Sequence, residues 1–315
     1  PASRDTCTSR CGGGCVNDSM PPLDRKSVRA AFARAAARYD AAAVLQREIA
    51  DRLLARLDYM RIAPQQILDL GCGTGYALSH LRRRYPGACL LGLDLVHAMT
   101  KLARAQTLPR LPFGLGHLLK RGCLINADAQ ALPFADRSFD LVFSNLALQW
   151  CNPDAVFREC RRVLRPGGLL LFTTFGPDTL KELRAAWRVV DSDPHVHAFI
   201  DMHDLGDALV RARFADPVMD VESLTLTYAD VSSLLRELKA IGAHNAAATR
   251  SATLTGKAHF ARFVQAYETF RRADDRIPAS YEAVYGHAWA PLAEPADSTD
   301  GTAVISLNQL RRGRG

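Results

Sequence analysis

The segment LDLGCGTG, Leu68 to Gly75, contains the pattern that decides the fold of this chain. Ile67 to Leu70 has the composition of a short buried strand, and Tyr76 to Arg84 has that of a helix. The three glycines of the segment therefore lie in the turn between them. Glycines at this point let the backbone approach a ligand closely and let helix N-terminal amides point at it. The segment predicts the first strand, turn and helix of a nucleotide-binding α/β domain.

Strand and helix patterns keep alternating after this segment. Further strands are predicted at Cys89–Leu93, Cys123–Ala127, Phe139–Asn145, Leu169–Phe175, Val218–Tyr228 and Ala283–Trp289. Helices are predicted between them at Val96–Gln106, Pro153–Leu164, 178–190, Asp204–Arg213, Val231–Ile241 and His259–Ala273. Such alternation indicates right-handed crossovers and a parallel sheet. We therefore expect a Rossmann-like α/β fold, with a mostly parallel seven-stranded sheet, helices on both faces and a helical lid insertion.

The sequence also predicts how the chain is organised. Residues 1–23 and 292–315 are expected to be disordered tails, and residues 24–291 are expected to form the domain. Residues 24–60 are predicted to form a helical cap, one long helix or a pair, and residues 176–282 to include the lid. The turn RPGG at Arg165 to Gly168 is expected to close a helix, and Asp178 to cap the next one. No apolar run reaches the roughly 18 residues that span a bilayer, so we expect a cytoplasmic protein without membrane contact.

The net charge of +7 permits either a nucleic acid or an acidic protein as partner. The charge alone does not decide between them.

The spacing of the glycines separates two classes of nucleotide cofactor. Dinucleotide enzymes use G-x-G-x-x-G, whereas this turn reads G-C-G-T-G after Asp69 and resembles the first motif of S-adenosylmethionine-dependent methyltransferases. Asp94 ends the second strand, where a carboxylate can bind both ribose hydroxyls, and Asp128 and Ala129 follow the third strand, where methyltransferases contact adenine. The predicted cofactor is S-adenosylmethionine, and no metal is expected. The predicted cofactor-binding residues in these segments are Asp69, Gly71, Gly73, Gly75, Asp94, Leu95, Asp128 and Ala129.

The turn after the fourth strand helps to separate the two kinds of partner. Enzymes that methylate exocyclic amines of nucleic-acid bases carry an N-P-P-[YF]-like turn there. In this chain the turn reads Ser144, Asn145, Leu146, Ala147. The sequence therefore favours an acidic protein partner over nucleic acid.

Several segments outside the cofactor motifs closely resemble the malonyl-acyl-carrier-protein O-methyltransferases of biotin synthesis. They are AFARAAARYDAAAVLQREIA, SNLALQWC, TTFGPDTLKELRAAW, FIDMHDLGDALVRARF, LLRELKAIGAHNA and SYEAVYGHAW, and they cover nearly all of residues 29–291. The resemblance implies methyl transfer to the free carboxylate of a malonyl thioester carried by an acidic protein. It therefore identifies malonyl-acyl-carrier protein as the expected partner.

The resemblance also implies roles for residues outside the glycine turn. Tyr39 and Gln46 are expected to cap the cofactor pocket, and Asn145 to border the methyl group. A cation is expected beside the substrate carboxylate, since an unpaired buried charge is costly. The candidates to line the malonyl site are Phe175, Lys239, His244, Asn245 and Arg250, with Arg250 as the first choice for the cation. Trp150 and Trp187 are expected to be core residues.

Two other functions are compatible with parts of the sequence. TTFGPDTLKELR and HDLGDALVRARF also resemble methyltransferase-like assembly factors of a respiratory complex, some of which modify protein arginines. A small-acid methyltransferase of the trans-aconitate type is the third possibility. The segments ARYDAAAVLQ and SNLALQWC favour the biotin enzyme.

Overall fold

The computed structural model describes residues 24–107, 122–243 and 256–293. Residues 1–23, 108–121, 244–255 and 294–315 lie outside these ranges. The candidate site residues His244, Asn245 and Arg250 also lie outside them. Within the described ranges, no helix is both long and apolar enough to cross a bilayer.

The described residues form one sheet of seven strands. The strands are β1 (Gln66–Leu70), β2 (Cys89–Asp94), β3 (Gly122–Asn126), β4 (Phe139–Ser144), β5 (Leu164–Phe175), β6 (Ala215–Tyr228) and β7 (Ile277–Trp289). Their order across the sheet is β3-β2-β1-β4-β5-β7-β6. Neighbouring strands from β1 to β5 are parallel, and β7 is antiparallel to both β5 and β6. The predicted mostly parallel, seven-stranded sheet is therefore confirmed.

The central strands are mostly apolar because both faces of the sheet are covered. Ile67 of β1 belongs to one hydrophobic cluster and the next residue, Leu68, belongs to a second cluster on the opposite face. Leu141 and Val142 of β4 alternate in the same way. Helical residues such as Leu53, Leu78 and Phe263 belong to the first cluster, and helical residues of other segments, such as Val156 and Leu205, belong to the second. The predicted placement of helices on both faces is confirmed.

Nine helices longer than one turn are present in the described residues. They are α1 (Arg25–Ala42), α2 (Val44–Arg56), α3 (Tyr76–Arg84), α4 (His97–Thr107), α5 (Pro153–Val163), α6 (Lys181–Arg188), α7 (Met202–Arg211), α8 (Val231–Ala240) and α9 (Lys257–Glu268). The N-terminal helical region is a pair of helices that meet at Ala43. Helix α1 packs against both α4 and α8, so it joins the first half of the sheet to the helices that follow β5.

Two predicted local features at the ends of β5 are wrong. The sequence RPGG does not close α5 as a turn, because α5 ends at Val163 and β5 begins at Leu164. Gly167 N donates to the Ala290 carbonyl and Ala290 N donates to the Gly168 carbonyl, both at 2.8 Å, so the segment is held as extended chain. Asp178 does not cap α6 either. That helix begins at Lys181, after Leu180 in the left-handed region with a φ of 57°, and the Asp178 carboxylate accepts from Lys181 Nζ.

Strand β7 begins at Ile277, six residues before the predicted start at Ala283. The proline at 278 argues against a strand in the sequence because it removes one ladder donor. In the structure Pro278 pairs with Thr227 of β6, and its carbonyl accepts from the Tyr267 hydroxyl at 2.9 Å. A contact with α9 therefore helps to hold the start of this strand.

Gly286 of β7 lies opposite Phe172 of β5, where an alanine cannot fit. A Cβ at position 286 would lie 2.3 Å from Cζ of Phe172, and that ring is fully buried. We expect Gly286→Ala to destabilise the fold by about 1–3 kcal/mol through overpacking. Urea unfolding followed by circular dichroism measures this change.

Gly87→Ala is the matched control, because a Cβ at Gly87 meets no atom within 4 Å. We expect that variant to change the unfolding free energy by less than about 0.5 kcal/mol. Equal stability of the two variants would contradict the packing described for β5 and β7.

Candidate active site

The glycine turn between β1 and α3 has a left-handed backbone at each glycine. The φ angles of Gly71, Gly73 and Gly75 are 75°, 52° and 90°. A Cβ at Gly71 would lie 2.3 Å from Cβ of Ala147, whereas a Cβ at Gly73 would meet no atom within 4 Å. Gly71 thus allows close packing, while Gly73 leaves open space beside the backbone.

Strand β2 holds this turn in place. The amides of Gly71 and Cys72 both donate to the Leu93 carbonyl, at 2.7 and 2.9 Å. The Asp94 carboxylate accepts from Gly73 N at 3.0 Å and from Val96 N at 2.8 Å. Burial raises the pKa of Asp94, and these two amides oppose the rise. The glycine turn and the acidic residue of β2 therefore form one unit.

A pocket lies at the carboxyl ends of β1 to β4, and we call it the strand-end pocket. It brings together eight residues that were predicted for the site: Tyr39, Gly71, Gly73, Asp94, Leu95, Asp128, Ala129 and Asn145. Helix α1 covers it with Arg25, Val28, Phe32 and Tyr39. The strand order reverses between β1 and β4, which is where open α/β sheets bind ligands. Gly75 does not line this pocket.

Asp128 forms an ion pair with Arg25 of α1 and accepts from Gln130 N at 3.0 Å. Burial alone would raise the pKa of Asp128, but Arg25 and Gln130 outweigh it and hold the pKa below its usual range. The carboxylate is therefore charged at neutral pH, and α1 is tied to the loop that follows β3.

Gln46 and Asp69 line a smaller pocket that adjoins the strand-end pocket through Tyr39, Gly71, Gly73 and Asn145. Asp69 Oδ2 and Gln46 Oε1 are both buried acceptors without a hydrogen-bond partner. Burial, and secondarily the charge of Asp94, raises the pKa of Asp69 to about 8. Two unsatisfied acceptors in one pocket fit a ligand that carries several N–H donors, such as an ammonium group. The amino group of S-adenosylmethionine has this chemistry.

The amide of Asn145 is occupied by contacts within the protein. Its Nδ2 donates to the Gln46 carbonyl at 3.0 Å, and its Oδ1 accepts from the Thr173 hydroxyl at 2.8 Å. Asn145 therefore fixes α2 against the ends of β4 and β5. Tyr39 is partly buried and lines both the strand-end pocket and the smaller pocket beside it. Burial raises the pKa of its hydroxyl, so the hydroxyl stays protonated at neutral pH.

A cavity of about 880 Å³ lies between α1, α8 and the segment that follows β5, and we call it the lid cavity. Phe175 and Lys239, two of the predicted substrate residues, line it. Four exposed cations also belong to its wall: Arg34, Arg38, Arg236 and Lys239. No aspartate or glutamate occurs among the described residues of this wall. The cavity is therefore suited to an acidic ligand with an apolar part.

Most residues of this wall were not predicted for the site, among them Trp150 and His197. Trp150, expected in the core, is partly buried and lines both the strand-end pocket and the lid cavity. His197 is buried and lines the lid cavity. Trp187 is buried and stacks on Phe263 with ring centres 4.1 Å apart. The position of Trp150 after β4 was a usable signal, whereas nothing in the sequence around His197 distinguishes it.

Comparison with known proteins identifies the family. Residues 68–172 match the family model described as "Methyltransferase domain". A malonyl-[acyl-carrier protein] O-methyltransferase from Laribacter hongkongensis is 54% identical over 288 residues, covering 90% of this chain and 96% of that protein. The protein of the same name from Gallionella capsiferriformans is 50% identical over 290 residues, covering 91% and 97%.

Solved structures agree with the fold. The YcgJ protein of Bacillus subtilis superposes with a TM-score of 0.52 at 16% identity, over 76% of this chain and 99% of that one. A Bacillus halodurans protein described provisionally as a methyltransferase gives a TM-score of 0.51 at 18% identity, over 76% and 98%. The predicted class I methyltransferase fold is confirmed. At this level of identity to its curated relatives, the chain belongs to the malonyl-acyl-carrier-protein O-methyltransferase family.

Proposed function

We propose that this protein transfers a methyl group from S-adenosylmethionine to the free carboxylate of malonyl-acyl-carrier protein. The product is the methyl ester that primes pimeloyl synthesis in the biotin pathway. The observation that carries the proposal is the lid cavity, which adjoins the strand-end pocket at Trp150 and has only cations among the charged residues of its described wall. The two curated relatives described above carry the name of this activity.

The residues around the glycine turn fit S-adenosylmethionine part by part. Asp94 can accept hydrogen bonds from the ribose hydroxyls, and Asp128 and Ala129, the residues expected to contact adenine, line the same pocket. Asp69 and Gln46 offer unsatisfied acceptors for the amino group. The open space at Gly73 allows the ligand to approach the backbone.

The chemistry requires no general base in the lid cavity. The bound cofactor supplies a methyl group on a positively charged sulfur. A malonyl carboxylate has a pKa near the side-chain value of ~4 and is already ionised at neutral pH. Its oxygen forms a bond to the methyl carbon, the carbon–sulfur bond breaks with its electron pair going to sulfur, and no proton moves. The work of the protein is therefore to orient the carboxylate and exclude water.

The exposed cations explain why a carrier protein is the proposed acceptor. Arg34 and Arg38 lie one turn apart on α1, and Arg236 and Lys239 face the same cavity from α8. These positive groups are exposed, so they attract an acidic carrier and speed its association at low salt. Lys239 and Arg250 are the two predicted substrate cations. Lys239 lines the lid cavity, whereas Arg250 lies outside the described residues.

Replacement of Asp94 tests the ribose contact. We expect Asp94→Asn to weaken S-adenosylmethionine binding by about 1.5–3 kcal/mol, because a charged acceptor is lost. Calorimetric titration measures the affinity, and thermal unfolding of the free protein separates binding from folding. Asp58→Asn is the control, because Asp58 is a surface residue paired with Arg84 at 2.7 Å. The affinity of this variant for S-adenosylmethionine should match that of the wild type. Equal affinities for both variants would remove Asp94 from the cofactor site.

Asp69 predicts proton release when the cofactor binds. In the free protein at pH 7 this carboxyl is mostly protonated, because its pKa is raised to about 8. An ammonium group beside it favours the charged carboxylate and lowers that pKa, so roughly one proton leaves per site. Binding heats measured at pH 7 in phosphate and in Tris should differ accordingly. Asp69→Asn should abolish the difference, and buffer-independent heats for the wild type would contradict the assignment.

Growth of a bacterial biotin auxotroph tests the function in the cell. A strain that lacks its own malonyl carrier-protein methyltransferase should grow without biotin when it expresses this chain. The variant Asp94→Asn should support less growth, and added biotin should restore both strains equally. Absence of growth, with the wild-type protein expressed and able to bind the cofactor, would favour the protein-modifying assembly factor instead.

A further inference from the structure

His197 lines the lid cavity, and one of its ring nitrogens is buried without a hydrogen-bond partner. The residue is 6% exposed, and its Nε2 atom has no hydrogen-bond partner. Gln46 Oε1 is the other buried unpartnered atom among the described residues of the cavity wall, and that atom is an acceptor. Burying a polar group without a partner is costly, which points to a partner that is supplied by the ligand.

The position of His197 places it near the reacting groups. Its ring lies 4.8 Å from Trp150 and 4.4 Å from Phe199, measured between ring centres. Trp150 is shared by the walls of the lid cavity and the strand-end pocket. A substrate carboxylate that reaches the boundary between the two spaces therefore passes next to His197.

The four cations of the cavity wall have a different position. Arg34, Arg38, Arg236 and Lys239 are exposed to solvent, whereas His197 is buried against aromatic rings. Burial, and secondarily the charge of Arg184, lowers the pKa of His197 to about 4, so the ring is neutral at pH 7. A neutral imidazole can donate one hydrogen bond from Nε2. It adds no positive charge beside a cationic sulfur.

We propose that His197 is a substrate-binding residue whose Nε2–H donates to one oxygen of the acceptor carboxylate, leaving the other oxygen to receive the methyl group. The proposal rests on the proposed function for the identity of the acceptor. His197 takes no proton during the transfer, because the carboxylate is already ionised. It distinguishes the free acid from its methyl ester, which has lost the charge that strengthens the hydrogen bond.

The variant His197→Phe tests the donor while keeping an aromatic ring against Trp150 and Phe199. With malonyl-acyl-carrier protein as substrate, we expect the apparent KM to rise roughly 10- to 100-fold, as for loss of a hydrogen bond to a charged group. The affinity for S-adenosylmethionine, measured by calorimetry, should change less than about threefold. The variant should also lose most of the preference of the wild type for binding the malonyl carrier over the methyl-ester carrier.

His195→Phe is the matched control. His195 lines the same cavity, but its Nε2 is already paired with Asp191 Oδ1 at 2.8 Å, and its ring stacks on Trp187. That variant removes no free donor, so its KM should rise much less than that of His197→Phe. Equal KM values for the wild type and His197→Phe would overturn the proposal and leave the proposed function intact.

The variant His197→Gln decides the case if His197→Phe loses cofactor affinity. Glutamine keeps an N–H donor at a similar reach, so a KM within several-fold of the wild type supports the proposal. A KM raised as far as in His197→Phe, with cofactor affinity intact, contradicts it. Failure of the wild type to methylate the carrier would instead refute the proposed function.

Discussion

The hold of β2 on the glycine turn is the interaction on which the site depends. Leu93 accepts from the two amides that follow β1, and Asp94 accepts from the third, so the turn cannot shift without disturbing the second strand. This arrangement also aims the Asp94 carboxylate into the strand-end pocket. A single set of backbone contacts thus positions both the open backbone at Gly73 and the carboxylate that is proposed to bind ribose.

Helix α1 connects the cofactor side of the molecule to the substrate side. Arg25, Val28 and Phe32 on one stripe of the helix face the strand-end pocket, while Arg34 and Arg38 on the neighbouring stripe face the lid cavity. Contacts with α4 and α8 hold the helix between the two regions. One helix therefore forms part of the wall of both spaces.

The sequence was sufficient for the parts of the fold and site that depend on local pattern. The alternation of strands and helices predicted the sheet, since the central strands are mostly apolar and the crossover helices are amphipathic. The glycine turn and Asp94 were found because their spacing is fixed by a single strand-turn-helix unit. The predicted cap at Asp178 was wrong because Leu180 has a left-handed backbone and the helix begins only after it. No residue pattern in the sequence predicts that conformation.

The lid cavity could not be read from the sequence in the same way. His197 and Trp150 are far apart along the chain, and they meet only because the segment after α6 folds back over the end of β4. The unsatisfied acceptors of Asp69 and Gln46 also come from separate elements, β1 and α2. Such features depend on tertiary packing and become visible only when the helices are placed on the sheet.

The central claim is that the free carboxylate of a malonyl carrier protein receives the methyl group. The direct measurement uses purified enzyme, S-adenosylmethionine with a labelled methyl group, and malonyl-, acetyl- and unloaded carrier proteins, followed by mass spectrometry of the carrier. The account predicts a label on the malonyl carrier alone, present as an ester that mild alkali removes. Absence of label on the malonyl carrier, with cofactor binding confirmed in the same sample, would contradict it.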